Sequence, residues 1–333
     1  MQNFGPQPVV APPGQHEQFR PPLANQLFEN RSWFIPIMSQ FGEFGDFRSL
    51  VTSLRACDSV ERRLAEIQQE ADVLPIRHCQ LAAICYYIQS VIWQCEKNWY
   101  KHHVGITNHS ALFEMIELWR HRSNEKVCVV TFNYDTLIEK AMEQVLKATF
   151  NEMSQYVSDQ NYKLIKLHGS IDWGREVSAE VGLGVPAHVV HNAAKLQISD
   201  RYRKVSRPNA VFEDGSVGYP AIAVPVEKKS EFVCPELHLS TLANLIPSVS
   251  KIVTIGWRAM ERHFLDMLTK RLTGLQGDVD LMIVSGSDSG ANDTLKSLAI
   301  GPPNSERKRA LRGDGFSGLL SQVGRGHLEH FLR

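Results

Sequence analysis

The apolar run at residues 129–140, VVTFNYDTLIEK, stops abruptly on Asn133, Tyr134 and Asp135, and the run at 163–173, KLIKLHGSIDW, stops on His168, Gly169 and Ser170. A buried strand has no need of an asparagine or a histidine at its end, whereas a reaction centre has use for both. A carboxamide can hold hydroxyls or a water, and an imidazole transfers protons near neutral pH. Two later apolar runs end on Gly256 and Trp257 and on Ser285, Gly286 and Ser287. Glycine lets a ligand approach the backbone, and hydroxyls suit ribose or phosphate. This is a nucleotide-site inventory with one titratable catalyst and no catalytic carboxylate pair. Each residue also has a plainer role. Asn133 or Asp135 would cap a helix starting near Thr136, His168 would be a buried histidine satisfied by a backbone carbonyl, and SGSDSG reads first as a loop. Arg258 and Glu261 read as an exposed helix start. The pairing and order of the strand ends, not any single residue, favour chemistry.

The elements that must position these ends fall into two textures. From Leu23 to about Arg122 the pattern is helical: VERRLAEIQQEA follows an Asp58-Ser59 start signal, and SALFEMIELWRHR places Leu112, Met115, Ile116 and Trp119 on one face. After Glu125, short β-branched runs (KVCVVTF, YKLIKLH, AIAVPV, KIVTIGW, VDLMIVSG) alternate with amphipathic stretches such as DTLIEKAMEQVLKA. Apolar strands without alternation, separated by helices, predict an α/β fold: a Rossmann-like parallel sheet covered by helices on both faces, with an N-terminal helical insert at about 48–122. Ligands of such sheets lie outside the carboxyl ends of the strands, where Asn133 and His168 fall. The expected division is a flexible Pro/Gln-rich segment at 1–22, the Rossmann-like domain at 23–299, and a segment at 300–333 with no assignable role. Residues 174–219 read as loops or a small cap.

With 333 residues, a 43% hydrophobic fraction and a 22% charged fraction, the chain has material for a large soluble core. Its formal net charge of zero argues against a protein that mainly neutralises nucleic-acid phosphates, so nucleic acid is not an expected partner. ERKRALR, at 306–312, is the best candidate for a local basic face and reads as a solvated helix or tail. The longest apolar stretch, LAAICYYIQSVIWQC, is broken by Gln89 and Gln94 and is too short to cross a bilayer. The N-terminus lacks the pattern of a secretory signal, and six cysteines without a C-x-x-C pair fit isolated thiols in a reducing cytoplasm rather than a metal site. P-loop, H-E-x-x-H and G-x-S-x-G motifs are absent from the sequence.

TFNYDTLIE followed by KLHGSIDW resembles the paired motif of the sirtuin-like NAD-consuming family, in which a T-x-N-x-D strand end and an L-H-G strand end form the active centre. IVTIGWRAMERHF is similar to the family's third motif, a strand-end glycine where NAD is contacted. YPAIAVPVEKKSEFVCPELH lies where bacterial members have an intervening strand, and PPLANQLFE looks like the helix after the first nucleotide-binding turn. The resemblance spans roughly residues 131–287. It implies NAD as the substrate, with His168 as the base, Asn133 positioning the ribose or the attacking water, and Asp135 helping to fix the nicotinamide. Gly169 and Gly256 would border NAD, and Ser285 and Ser287 would face the adenosine half. The nicotinamide of NAD leaves from a ribose that becomes oxocarbenium-like, as in glycoside hydrolysis. That leaving group is already cationic, so a base and polar positioning groups are needed and a general acid is not.

The family's opening G-A-G-x-S turn, which carries the pyrophosphate on backbone N–H groups, has no counterpart. Its place ahead of PPLANQLF is taken by a Pro/Gln-rich stretch that supplies neither a central strand nor a donor-rich loop. A gap in the sheet beside VVTFN is the structural expectation. Three readings stay open: a chain shortened at its start, weak NAD binding, or none. The four zinc cysteines of protein-deacylating sirtuins are also absent, and no metal is expected. With a helical insert in front, this looks more like the bacterial NAD-hydrolysing branch associated with anti-phage defence, whose members are oligomeric or triggered by a partner. The expected activity is an NAD+ glycohydrolase, with a protein deacylase or a non-catalytic nucleotide-binding scaffold as alternatives.

Overall fold

The computed structural model describes residues 21–32, 34–41, 47–102, 106–178, 184–226, 232–272, 279–298 and 307–333. The segment 1–22, expected to be flexible, lies outside the described residues except for its last two. The helix implied for PPLANQLFE is instead a single 3-10 turn, Ala24–Gln26, closed by the Leu23 N–H donating to Gln26 Oε1 (3.1 Å). Leu27 and Phe28 after it are drawn into the core, where Tyr87 OH donates to the Leu27 carbonyl (2.7 Å), and that path leaves no room for further helical turns.

Helices α1 (Phe34–Ser39), α2 (Phe47–Ala56), α3 (Val60–Glu70), α4 (Ile76–His102) and α5 (Asn108–Ser123) follow. Ser59 caps α3 by accepting from the Arg62 N–H (3.2 Å), and Thr107 caps α5 by accepting from the Ser110 N–H (3.1 Å). α4 is the axis of this part, with residues 81–92 all buried. The Gln89 that broke its apolar run is fully buried and satisfied: Nε2 donates to the Ile171 carbonyl (2.8 Å), and Oε1 accepts from the Ala210 N–H (2.8 Å). A helix without a polar face must be surrounded on all sides, and α4 is. Among the described residues, no helix is long and apolar enough to cross a membrane.

The α/β part runs β1 (Val127–Thr131), α6 (Leu137–Leu146), α7 (Gln155–Ser158), β2 (Tyr162–Lys166), β3 (Gly169–Ser178), α8 (Pro186–His191), β4 (Gln197–Lys204), β5 (Tyr219–Ile222), α9 (Glu236–Leu245), β6 (Lys251–Ile255), α10 (Arg262–Leu272), β7 (Asp280–Val284), α11 (Asp288–Leu298), β8 (Arg309–Arg312), α12 (Gly315–Leu319) and α13 (Gln322–Leu332). β1 and β2 are parallel, as are β6, β7 and β8. β7 is buried along its whole length. Its Met282 and Val284 pack with α5, α12 and α13, while Leu281 and Ile283 pack with α11. Helices therefore cover both faces, as the apolar strands predict.

Two features depart from a single parallel sheet. Only the first two residues of AIAVPV are strand: they end β5, which pairs antiparallel with β3. The stretch 174–219 contains β4, which pairs with the other side of β3 in the three-stranded sheet β4-β3-β5. β4 is a polar edge strand held by backbone pairing, so it carries no apolar signature. Second, among the described strands β1 pairs only with β2, and β6 only with β7. Val127, Cys128, Val129 and Val130 are half-buried, and among the described residues no strand pairs with the other edge of β1, where the sequence predicts a gap. The unassigned C-terminal segment forms β8, α12 and α13, whose Leu319, Leu328 and Phe331 lie under β7.

The transition from β2 to the antiparallel sheet turns on Gly169, whose φ is +83°. A Cβ there would lie 1.8 Å from the Ala221 carbonyl oxygen. Gly169→Ala is expected to destabilise the protein by about 3 kcal/mol or more, from combined strain and steric overlap, measured by urea unfolding. Stability within ~0.5 kcal/mol of wild type would contradict this close approach.

Candidate functional site

Parallel pairing brings the ends of β1 and β2 together. Thr131 lies opposite Lys166, and the Leu167 N–H donates to the Thr131 carbonyl (3.1 Å), carrying the ladder one step beyond β2. From there β1 leaves the sheet as a pinned turn. The Asn133 N–H donates to Thr131 Oγ1 (3.1 Å), and the Tyr134 carbonyl accepts from the Ile171 N–H (2.9 Å). Tyr134 OH donates to the Ala223 carbonyl (2.7 Å), and the Ala223 N–H donates to the His168 carbonyl (2.9 Å). The two strand ends thus share one anchor just past β5.

His168 is buried, 3% exposed, with its ring 5.0 Å from Phe132 and 6.5 Å from Tyr134. Asn133 is exposed at the mouth. Phe132 stacks on Trp257 (5.6 Å, interplanar 16°) and meets Phe264 edge-on, so the end of β6 borders the same aromatic wall. Gly256 is exposed with φ +67°, and a Cβ added there would meet nothing within 4 Å, which leaves open space at that strand end. Its N–H donates to the Val284 carbonyl (2.9 Å).

Asp135 is buried and holds a structural duty as well: its Oδ1 accepts from the Leu137 N–H (3.2 Å) at the start of α6. The plainer capping role is therefore real for Asp135, whereas Asn133 stands exposed ahead of the helix. Gly169 is needed by the fold. Ser285 is half-buried and tied through its backbone to Arg312 and Gly315, and Ser287 Oγ accepts from the Gly290 N–H (3.1 Å) as the cap of α11. The structure thus unites Asn133, Asp135, His168 and Gly169, places Gly256 beside them through Trp257, and sets Ser285 and Ser287 one strand further along. Glu261 is not a bare helix start, because its Oε2 accepts from Trp257 Nε1 (2.5 Å). Among the described residues, no group of three or more His, Cys, Asp or Glu could hold a metal ion.

Three residues at the site escaped the sequence. Lys166, wholly buried, donates to the Asp135 carbonyl and to Glu139 Oε1 (2.8 Å). Burial works to lower the Lys166 ammonium, but Glu139, Asp172 and Asp135 outweigh it and hold it above the ordinary lysine value. Glu96 of α4 accepts from Thr136 N–H, from Thr136 Oγ1 (2.8 Å) and from Lys140 Nζ (3.4 Å). Burial pushes the Glu96 carboxyl up to about 7, against the pull of Lys140 and with a further push from Asp135. A signal for Lys166 existed: it shares a face of β2 with Leu164, so the lysine belongs inside.

A mixed α/β protein with parallel strands covered by helices is of the Rossmann-like class, in which ligands lie outside the carboxyl ends of the strands. Residues 127–196 match the family model of the SIR2-like domain, so the segment that carries both motif strand ends is sirtuin-like and points to NAD-related chemistry. No curated protein matches the chain.

Because Glu96 binds its proton more tightly in the folded protein than at the ordinary 4.5, its contribution to stability is full below about 4.5 and is lost as the pH rises through about 7. Glu96→Gln is expected to remove this loss, so that its stability relative to wild type improves progressively across that window in urea titrations. A difference between the two proteins that does not change with pH would contradict it.

Proposed function

We propose that this protein is an NAD+ glycohydrolase that releases nicotinamide and ADP-ribose. The observation that carries the reading is the placement of a buried imidazole, His168, and an exposed carboxamide, Asn133, just past the ends of two adjacent parallel strands within a SIR2-like segment. In this reading His168 takes a proton from water or from a ribose hydroxyl. Asn133 holds the ribose or the attacking water, and Asp135 helps to fix the nicotinamide. The aromatic wall of Phe132 and Trp257 excludes bulk water around the oxocarbenium-like state, and the open space at Gly256 admits the rest of the dinucleotide. Gly169 borders the site through its backbone, and Ser285 and Ser287 face the adenosine half. The absence of the zinc cysteines from the sequence, with a helical insert ahead of the site, supports NAD depletion in cytoplasmic anti-phage defence, set off by an activating partner or by self-association.

A second reading, nucleotide binding without turnover, is favoured by the absence from the sequence of the G-A-G-x-S turn that carries the pyrophosphate. One assay separates the two. Purified protein is expected to release nicotinamide and ADP-ribose from NAD, and His168→Ala and Asn133→Ala, each checked for a cooperative thermal transition, are expected to lower turnover by about 10²–10⁴-fold. Turnover that survives both substitutions would overturn the assignment. Binding of ADP-ribose without any turnover by the wild-type chain would establish the second reading instead.

A further inference from the structure

Ile171 N–H and Ser170 Oγ (3.3 Å) hold the Tyr134 carbonyl, and the Lys166 ammonium reaches from β2 to the next carbonyl of the turn that carries Asn133 and Asp135. It starts from the last residue of β2, opposite the last residue of β1 and two positions before His168. It passes the end of β1 and donates to the carbonyl of Asp135, two residues after Asn133, and to Glu139 in the first turn of α6. Both side chains are essentially inaccessible, at 0% and 3%. Glu139 Oε1 also accepts from Tyr156 OH (3.2 Å), which itself accepts from Trp173 Nε1 (3.1 Å) and Lys204 Nζ (3.1 Å), and Lys204 pairs with Asp172. The network therefore extends from the turn after β1 to β3 and β4.

Stability alone does not account for this pair. Two buried charges give back in attraction roughly what they lose in hydration, and well-packed apolar residues of similar size often serve as well or better. An apolar residue, however, cannot hold a carbonyl. A buried charged donor holds the Asp135 carbonyl through a short, charge-assisted hydrogen bond. We propose that Lys166 is a positioning residue for NAD turnover: by tying the Asp135 carbonyl to Glu139 it sets the Asn133–Asp135 turn against His168. The inference rests on the glycohydrolase reading and deepens it, since Lys166 touches the turn and not the substrate.

The test uses the full chain with Lys166→Met/Glu139→Leu, which removes both charges at once and leaves no orphan ion, and Lys166→Met alone, in which Glu139 is left to take up a proton. Three quantities are read on the folded fraction of each: kcat on NAD, affinity for ADP-ribose, and amide hydrogen exchange over residues 132–136. The expected result is a fall in kcat of about 100-fold, the scale for a displacement of about 1 Å, with ADP-ribose affinity within about threefold of wild type. Exchange in the turn is expected to speed up at least about tenfold, as suits the loss of one hydrogen bond to a charged group, while the interior of α6 is unchanged. A kcat per folded molecule equal to wild type in either variant overturns the proposal, as does unchanged exchange in the turn. Wild-type protein without turnover overturns the glycohydrolase reading itself, and it is told apart because the exchange measurement needs no turnover.

Discussion

Parallel pairing of β1 with β2, from Val127 opposite Tyr162 to Thr131 opposite Lys166, is the constraint on which the rest of the site depends. A slip of one residue would send His168 and Lys166 to the opposite face of the strand. It would also break the hydrogen bond from Leu167 to the Thr131 carbonyl that aligns the two ends. In the observed register a histidine, an asparagine and the carbonyl held by lysine come from segments more than 30 positions apart (133 to 168 in the numbering), yet lie just past two neighbouring strand ends. Around those ends the fold concentrates its least ordinary devices: a glycine pressed against a carbonyl, a buried ion pair, and a carboxyl displaced toward neutrality.

Much of this was legible in the sequence because it follows from periodicity and from abrupt endings. Apolar runs without alternation gave parallel strands covered on both faces, and the polar residues that stopped them marked the strand ends. What was hidden has physical causes. β4 is an edge strand that needs only its backbone to pair, so QISDRYRK reads as a loop. AIAVPV is apolar enough for a parallel strand, and its antiparallel pairing follows from Gly169 reversing the chain into β3, which no propensity records. Glu139 looks like a solvent-facing charge until Lys166, the partner that neutralises it, is in view. Glu96 lies forty positions from the helix it caps (96 to 136), beyond the reach of any local capping signal.

The helical part is more than a neighbour of the site. α4 enters the core of the antiparallel sheet through Gln89, and seven residues later, on nearly the same face, presents Glu96 to the first residues of α6. One turn beyond that, the ring of Tyr100 lies 4.0 Å beneath Lys140 Nζ, so the lysine is held by a carboxylate and a π face of the same helix. The turn that carries Asn133 is therefore gripped from two directions, by β2 through a lysine and by α4 through a glutamate.

A helix of 27 residues is a rod about 40 Å long. Rods transmit angle as displacement: a tilt of about 5° about one end carries the other through about 3.5 Å, more than the length of a hydrogen bond. Glu96 lies about 30 Å along this rod, where the same tilt amounts to about 2.6 Å. The packing of α1 to α3 against α4 therefore sets how closely the Glu96 carboxyl meets the start of α6.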